Sequence, residues 1–233
     1  EAIRLYRGVI ARRADMEDAY RKLANVYWRT GRPGLAVETL EEALKNGVTQ
    51  SEVRIKLGQY LAQSGRPERA IELLLASSPD DPDVLVGLGN AYQLAGRTAE
   101  ALATFRRLLT LDPRNGLAHE NIGVIELQRK DLGAAEAALR QALAFDASLS
   151  GAHTALGVVL ANTGRGAEAI DAWKKAVDVD ASAFDALFNL TVNLARANRR
   201  EEARAYGERY VRTAPPALRK DAAVIQELLD RLR

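Results

Sequence analysis

The stretch PDVLVGLGNAYQLAGRTAEALATFRRLLTLDPRN, residues 82–115, reads as two helices joined by a turn. Leu88 and Tyr92 lie four apart and so share one face of the first helix. Gly89 offers no side chain on that helix, so the second helix can approach closely there, with Ala101 as the small surface expected opposite it. Gly96 stands in the turn, where a helix commonly ends in the left-handed conformation that glycine accepts at no steric cost. Counted from Pro82, the residues Leu85, Leu88, Gly89, Tyr92, Ala101, Phe105 and Pro113 hold positions 4, 7, 8, 11, 20, 24 and 32.

Working outward, the same pattern returns on both sides. Ala36, Ala70, Ala101, Ala135, Ala169 and Ala203 follow one another at intervals of 34, 31, 34, 34 and 34 residues. A fixed period of this size marks a stack of helix pairs, each covering its neighbour. The slot of Gly89 is filled elsewhere by Ala24, Gly58, Gly123, Gly157 and, as a departure, Thr191. The turn slot carries Gly31, Gly65, Gly96, Gly164 and Asn198, with Lys130 as the exception. Pro33 and Pro67 fall at the start of second helices, where a missing N–H costs nothing.

These residues closely resemble the tetratricopeptide repeat (TPR) pattern, Trp/Leu-x2-Leu-Gly-x2-Tyr, then Ala-x3-Phe, then Pro. The resemblance covers nearly the whole chain and implies an all-α, right-handed superhelix, an α-solenoid of stacked antiparallel helix pairs. It divides the chain into a second helix of a truncated repeat (1–16), six units (17–50, 51–81, 82–115, 116–149, 150–183 and 184–217) and a C-terminal capping helix (218–233). Unit 51–81 is three residues short, with its second helix expected to end near Ser77-Ser78-Pro79, because proline disfavours helix in the residue before it. The shortening should change the local angle between the flanking units.

The two ends differ. Leu218, Ala222, Ile225, Leu229 and Leu232 make one apolar stripe under a charged face, as a solvating cap requires. Helix 2–13 is apolar at Ile3, Leu5, Tyr6, Val9 and Ile10, more than one neighbour can cover. It is expected to need upstream helices over Ile3 and Ile10, and without them to fray or self-associate. The chain opens inside this helix, which suggests a piece of a longer protein.

Composition removes several functions. The 33 basic and 31 acidic residues nearly cancel, whereas nucleic-acid or membrane-surface binding would draw on a dominant basic field. No aromatic residues interleave with basic ones as a single-stranded nucleic-acid groove would need. With no cysteine, disulfides, thiolate metal sites and cysteine catalysis are out. No apolar run reaches the roughly 18 to 20 residues of a membrane span. No phosphate loop, HExxH, Gly-x-Ser-x-Gly or paired catalytic constellation occurs, so the sequence predicts neither enzyme nor cofactor. His119 and His153 are 34 apart, which stacks them about 10 Å from each other. That separation favours packing histidines over metal ligands.

In the TPR family, positions 2, 5, 6, 9, 12 and 13 of each first helix face the concave groove. Here they supply Asp18, Arg21, Lys22, Asn25, Trp28 and Arg29, then Glu52, Lys56, Gln59 and Gln63, then Asp83, Asn90 and Gln93, then Glu120 and Asn121. The N-terminal half is thus amide-rich and basic, with Trp28 expected to face the groove. Amides can bond both donor and acceptor of a peptide backbone, and Arg or Lys can hold a carboxylate. The resemblance therefore implies a non-enzymatic scaffold binding an extended or acidic peptide, anchored on Arg21, Trp28 and Lys56. The five-residue clamp of chaperone-tail TPR proteins is broken: Asn25 matches, but Lys56, Asp83 and Gly87 do not. The asparagine ladder of TPR glycosyltransferases survives only at Asn121 and Asn189. A second reading rests on style alone. Phrases such as Leu-Gly-Val-Val-Leu-Ala (156–161) and Phe-Asp-Ala-Leu-Phe-Asn-Leu (184–190) resemble C-terminal accessory repeats of bacterial sulfatase-like hydrolases and other multidomain enzymes. The compartment stays undetermined.

Overall fold

The computed structural model describes residues 1–232; Arg233, the end of the expected cap, lies outside them. Among the described residues there are fourteen α-helices, one 3-10 turn and no strand. The chain forms two compact units, Glu1–Pro113 and Arg114–Arg233.

The first unit holds α1 (Ala2–Arg12), α2 (Glu17–Arg29), α3 (Pro33–Lys45), α4 (Ser51–Gln63), α5 (Pro67–Leu75), α6 (Pro82–Leu94) and α7 (Thr98–Leu111). Turns of a few residues join α2 to α3, α4 to α5 and α6 to α7, which makes each pair antiparallel neighbours. Each pair also packs on the next: α3 and α4 touch, as do α5 and α6, while α2 meets α4 and α4 meets α6. The second unit repeats this scheme with α8 (Gly116–Gln128), α9 (Leu132–Phe145), α10 (Ser150–Asn162), α11 (Gly166–Val179), α12 (Phe184–Arg196) and α13 (Arg200–Thr213). A 3-10 turn at Pro216–Leu218 then leads into α14 (Arg219–Arg231). This last helix lies against α12 and α13 and buries Ile225 and Leu229.

Local chemistry sets where the helices start and stop. Pro33, Pro67 and Pro82 open α3, α5 and α6. The side chains of Asp81, Asn115 and Asp131 accept from Asp83 N, Ala118 N and Ala134 N, satisfying amides that a helix start leaves without an internal partner. The turn residues Gly31, Gly65, Gly96, Gly164 and Asn198 all take positive φ, between 57° and 79°. Lys130 adopts it too, at 64°, so the exceptional residue has not changed the turn.

The tight approach at the small slot has a different partner from the one expected. A Cβ on Gly89 would meet the Phe105 ring at 2.5 Å, so the aromatic four residues after Ala101 fills the space, rather than Ala101 itself. The rule repeats: Gly58 faces Leu74, Gly123 faces Leu139, and Gly157 faces Trp173. In the last pair the polarity inverts. Thr191 stands in the small slot, and Gly207 supplies the missing volume opposite, where a Cβ would stand 3.0 Å from the Thr191 methyl. The departure at residue 191 is therefore compensated sixteen residues on.

The second helix of the short repeat ends at Leu75, two residues before the Ser77-Ser78-Pro79 stretch near which it was expected to stop, and Leu74 lies beneath both Gly58 and Gly87, the first helices on either side. One expectation is corrected. At the N-terminus, Ile10 is buried within its own unit and Ile3 is half-buried. The exposed apolar residues of α1 are instead Leu5 and Val9, because α1 packs against α2 with its Ile10 side.

Candidate functional site

In the first unit, α2, α4 and α6 line a cleft of about 490 Å3. Arg21, Lys22 and Asn25 come from α2, Ile55, Lys56 and Gln59 from α4, and Val86 from α6. Asp18, Glu52 and Asp83 complete the wall with one carboxylate from each helix. These positions recur at helical spacing on one face of each helix, so the packing that buries the opposite face turns them outward together.

The electrostatics are less basic than the residue types suggest. Arg21 Nε lies 2.6 Å from Glu17 Oε1, with its Nη2 3.6 Å from Asp18. Lys22 Nζ is 2.6 Å from the other oxygen of Asp18, and that hydrogen bond holds the ammonium pKa above its ordinary value. Both cations are thus tied to acids three or four residues earlier on their own helix, where such side chains are neighbours. Lys56 differs: its Nζ reaches Gln59 Oε1 at 3.4 Å and sits 5.2 Å from the Tyr60 ring centre. The wall therefore offers three acids, three bases and two amides.

Trp28 does not stand open as an anchor. Its ring stacks on Tyr60 of α4 at 4.2 Å with planes 4° apart, because the end of α2 crosses beside the end of α4. Arg29 and Gln63 are exposed at the helix ends, and Asn90 and Gln93 are half-buried on α6; none of the four lines the cleft. Asn121 belongs to the second unit, where its Nδ2 donates to Leu117 O at 2.9 Å. Of the ten residues marked in the sequence, the structure gathers Arg21, Asn25, Lys56 and Gln59 into one cleft. The carboxylates that neutralise two of its cations were legible as i, i+3 and i, i+4 neighbours, a signal that naming basic residues singly passes over.

The histidines pack. His153 is buried, with Nε2 3.1 Å from Ala147 O, and burial pulls its pKa below the ordinary imidazole value despite that hydrogen bond. His119 lies 5.4 Å from the Phe145 ring. Among the described residues no helix is long and apolar enough to cross a membrane, and no cluster of three or more His, Asp or Glu side chains is placed to hold a metal ion.

Helix hairpins stacked at a 34-residue period, with a polar wall on their first helices, define a helical-repeat interaction fold. The tetratricopeptide-repeat family model matches residues 1–51, 21–84, 55–116, 86–150 and 154–217, and the chain belongs to that family. No curated protein matches it by sequence. Solved structures share the fold. A thermophilic TPR protein of Thermus thermophilus is 23% identical over 77% of this chain and 100% of its own, with a TM-score of 0.67. PilF of Pseudomonas aeruginosa is 21% identical over 90% of this chain and 96% of its own, at 0.68. YrrB, described as a TPR protein with an unusual peptide-binding site, is 18% identical over 95% and 97%, at 0.51. TPR proteins serve in general as scaffolds for protein interaction, and the fold of this chain is consistent with that role.

Proposed function

We propose that the chain is a non-enzymatic scaffold that holds an extended peptide of a protein partner in the cleft between α2, α4 and α6. The observation that carries this reading is the convergence of Asn25, Gln59, Lys56 and three carboxylates from successive helices on one open cleft of about 490 Å3. Asn25 and Gln59 can pair with a peptide's N–H and C=O groups whatever its side chains. Lys56, the cation of the wall held by no carboxylate of its own helix, is suited to an acidic side chain. Asp18, Glu52 and Asp83 suit basic ones. The helices are fixed before binding, so little ordering cost opposes association. The peptide-binding site of YrrB, a protein of the same fold, supports the assignment by analogy of fold.

A peptide array probed with the native chain and with Asn25→Ala/Lys56→Glu tests it. Neither substitution touches the Arg21–Glu17 pair, so helix α2 keeps its own support. Selected peptides should lose about tenfold or more in affinity on the double variant, since charge-assisted hydrogen bonds are the stronger ones. Equal capture of every peptide by both proteins removes this cleft from consideration.

A further inference from the structure

The second unit has a cleft of its own, about 560 Å3, with a different chemistry. Glu120 of α8, Ser150 and Thr154 of α10, and Phe184 and Asp185 of α12 line it. Among the described residues that line it there is no Lys or Arg. Glu120 is half-buried, and its carboxylate lies directly over Gly151, where a Cβ would collide with Oε1. A Cβ at residue 151 would push the flexible carboxylate out of this place. Burial, and secondarily the charge of Asp146, raise the Glu120 pKa above the ordinary carboxylate value. Asp146 itself is engaged by the N–H and hydroxyl of Ser148, at 2.8 and 2.6 Å. A carboxylate drawn out of water without a counter-charge is unfavourable, and the surrounding wall supplies none.

We propose that this cleft receives a lysine or arginine side chain projecting from an extended peptide. Glu120 and Asp185 supply the two negative charges. Ser150 and Thr154 line the same wall with hydroxyls. Phe184, held edge-on against Tyr210 with ring centres 5.8 Å apart, gives the aliphatic stem and cationic head an aromatic flank. The first-unit cleft mixes both charges, whereas the charged residues lining this one, Glu120 and Asp185, are both acids, so the inference does not depend on the reading of the other.

The test is an amide-resolved NMR titration of the full chain with acetyl-Ala-Ala-Lys-Ala-Ala-amide, its arginine counterpart, its norleucine counterpart and calcium chloride. A cationic peptide should shift the Gly151, Thr154 and Ser182 amides saturably, while norleucine leaves them in place. Glu120→Gln should weaken binding tenfold or more and Asp185→Asn several-fold, with circular-dichroism melts showing both variants folded. The proposal fails if no cationic peptide binds up to about 10 mM, if norleucine binds equally, if calcium alone gives the same shifts, or if Glu120→Gln binds as the native chain does. Shifts confined to α2 and α4 would likewise overturn it while supporting the first-unit cleft. Loss of the α2 and α4 shifts in Lys56→Glu leaves the Gly151 response untouched, so the two readings fail separately.

Discussion

At the scale of single residues, volume is traded between positions sixteen apart, and the glycines make the trade measurable. A methyl group on residue 157 would run into Trp173 Nε1, which is hydrogen-bonded to Thr154 O at 3.1 Å and fully buried. Gly157→Ala should therefore destabilise by about 1–3 kcal/mol, as overpacking does. Gly8, inside α1 with nothing within 4 Å, faces the opposite outcome: Gly8→Ala should stabilise by about 0.8–1 kcal/mol through helix propensity. Thermal melts of the two variants side by side check the assignment, and equal shifts would refute it. His153 makes a second residue-scale prediction. Burial is the main cause of its depressed pKa, with Lys175 adding to it, so the folded state prefers the neutral ring. The folded pKa lies below the unfolded value of about 6.5. Stability from the neutral ring is thus fully present above that pH and is lost as pH falls through the folded pKa. Between pH 7.5 and 5 the native chain should lose more stability than His153→Gln, measured as urea midpoints; parallel curves would show that His153 does not titrate against folding.

At the scale of helices and turns, the left-handed residue that ends each first helix is the recurring device. Lys130 performs it at φ 64° at a cost that glycine avoids. Lys130→Gly should raise stability by about 0.5–1 kcal/mol once the greater freedom of the unfolded glycine is subtracted. Gly96→Ala, at φ 74° with open space around it, should lower it. If Lys130→Gly is destabilising in a thermal melt, the lysine side chain contributes to the turn in a way its backbone does not reveal. Helix pairs, turns and cap were legible in the sequence because each rests on local chemistry: the period, the glycines, the prolines and the apolar stripes. The partner of each small slot was less so, since Ala101 and Phe105 both lie on the second helix and only packing decides which one enters the gap. The clefts were legible as faces but not as charge balances. Whether Arg21 meets a ligand or Glu17 depends on side-chain geometry, and whether Trp28 is open depends on Tyr60, a residue of the next repeat. Glu120 was visible as a wall residue; that no Lys or Arg among the described residues lines its cleft follows only from the packing of three helices.

At the scale of the whole molecule, ion pairs tie neighbouring repeats within each compact unit, apolar wedges tie the two helices of a hairpin, and their magnitudes differ. Ion pairs bridge repeats at Arg69–Glu41, Arg97–Glu68, Arg107–Asp80, Arg165–Glu136 and Lys174–Glu202, with N···O distances of 2.6–3.4 Å. Glu202 is shared by Lys174 and Arg199, and their hydrogen bonds draw its pKa down to about 2. Its ion pairs therefore support the fold above the unfolded carboxylate value of about 4.3 and are lost as pH falls toward 2. These side chains are 22–65% exposed, and ion pairs that water reaches contribute little and are screened by salt. Within each hairpin lie the apolar wedges: Leu139 against Gly123, Trp173 against Gly157, Phe105 against Gly89, each 0–1% exposed. Removing one such side chain costs far more, about 2–5 kcal/mol for Leu139→Ala. Raising sodium chloride from about 0.05 to 1 M should accordingly move the melting temperature by no more than about 5 °C, whereas Leu139→Ala should lower it by about 5–15 °C. If salt proves the larger perturbation, the repeats are held together by their charged rims, and the small-against-large pairing at positions sixteen apart is incidental to stability.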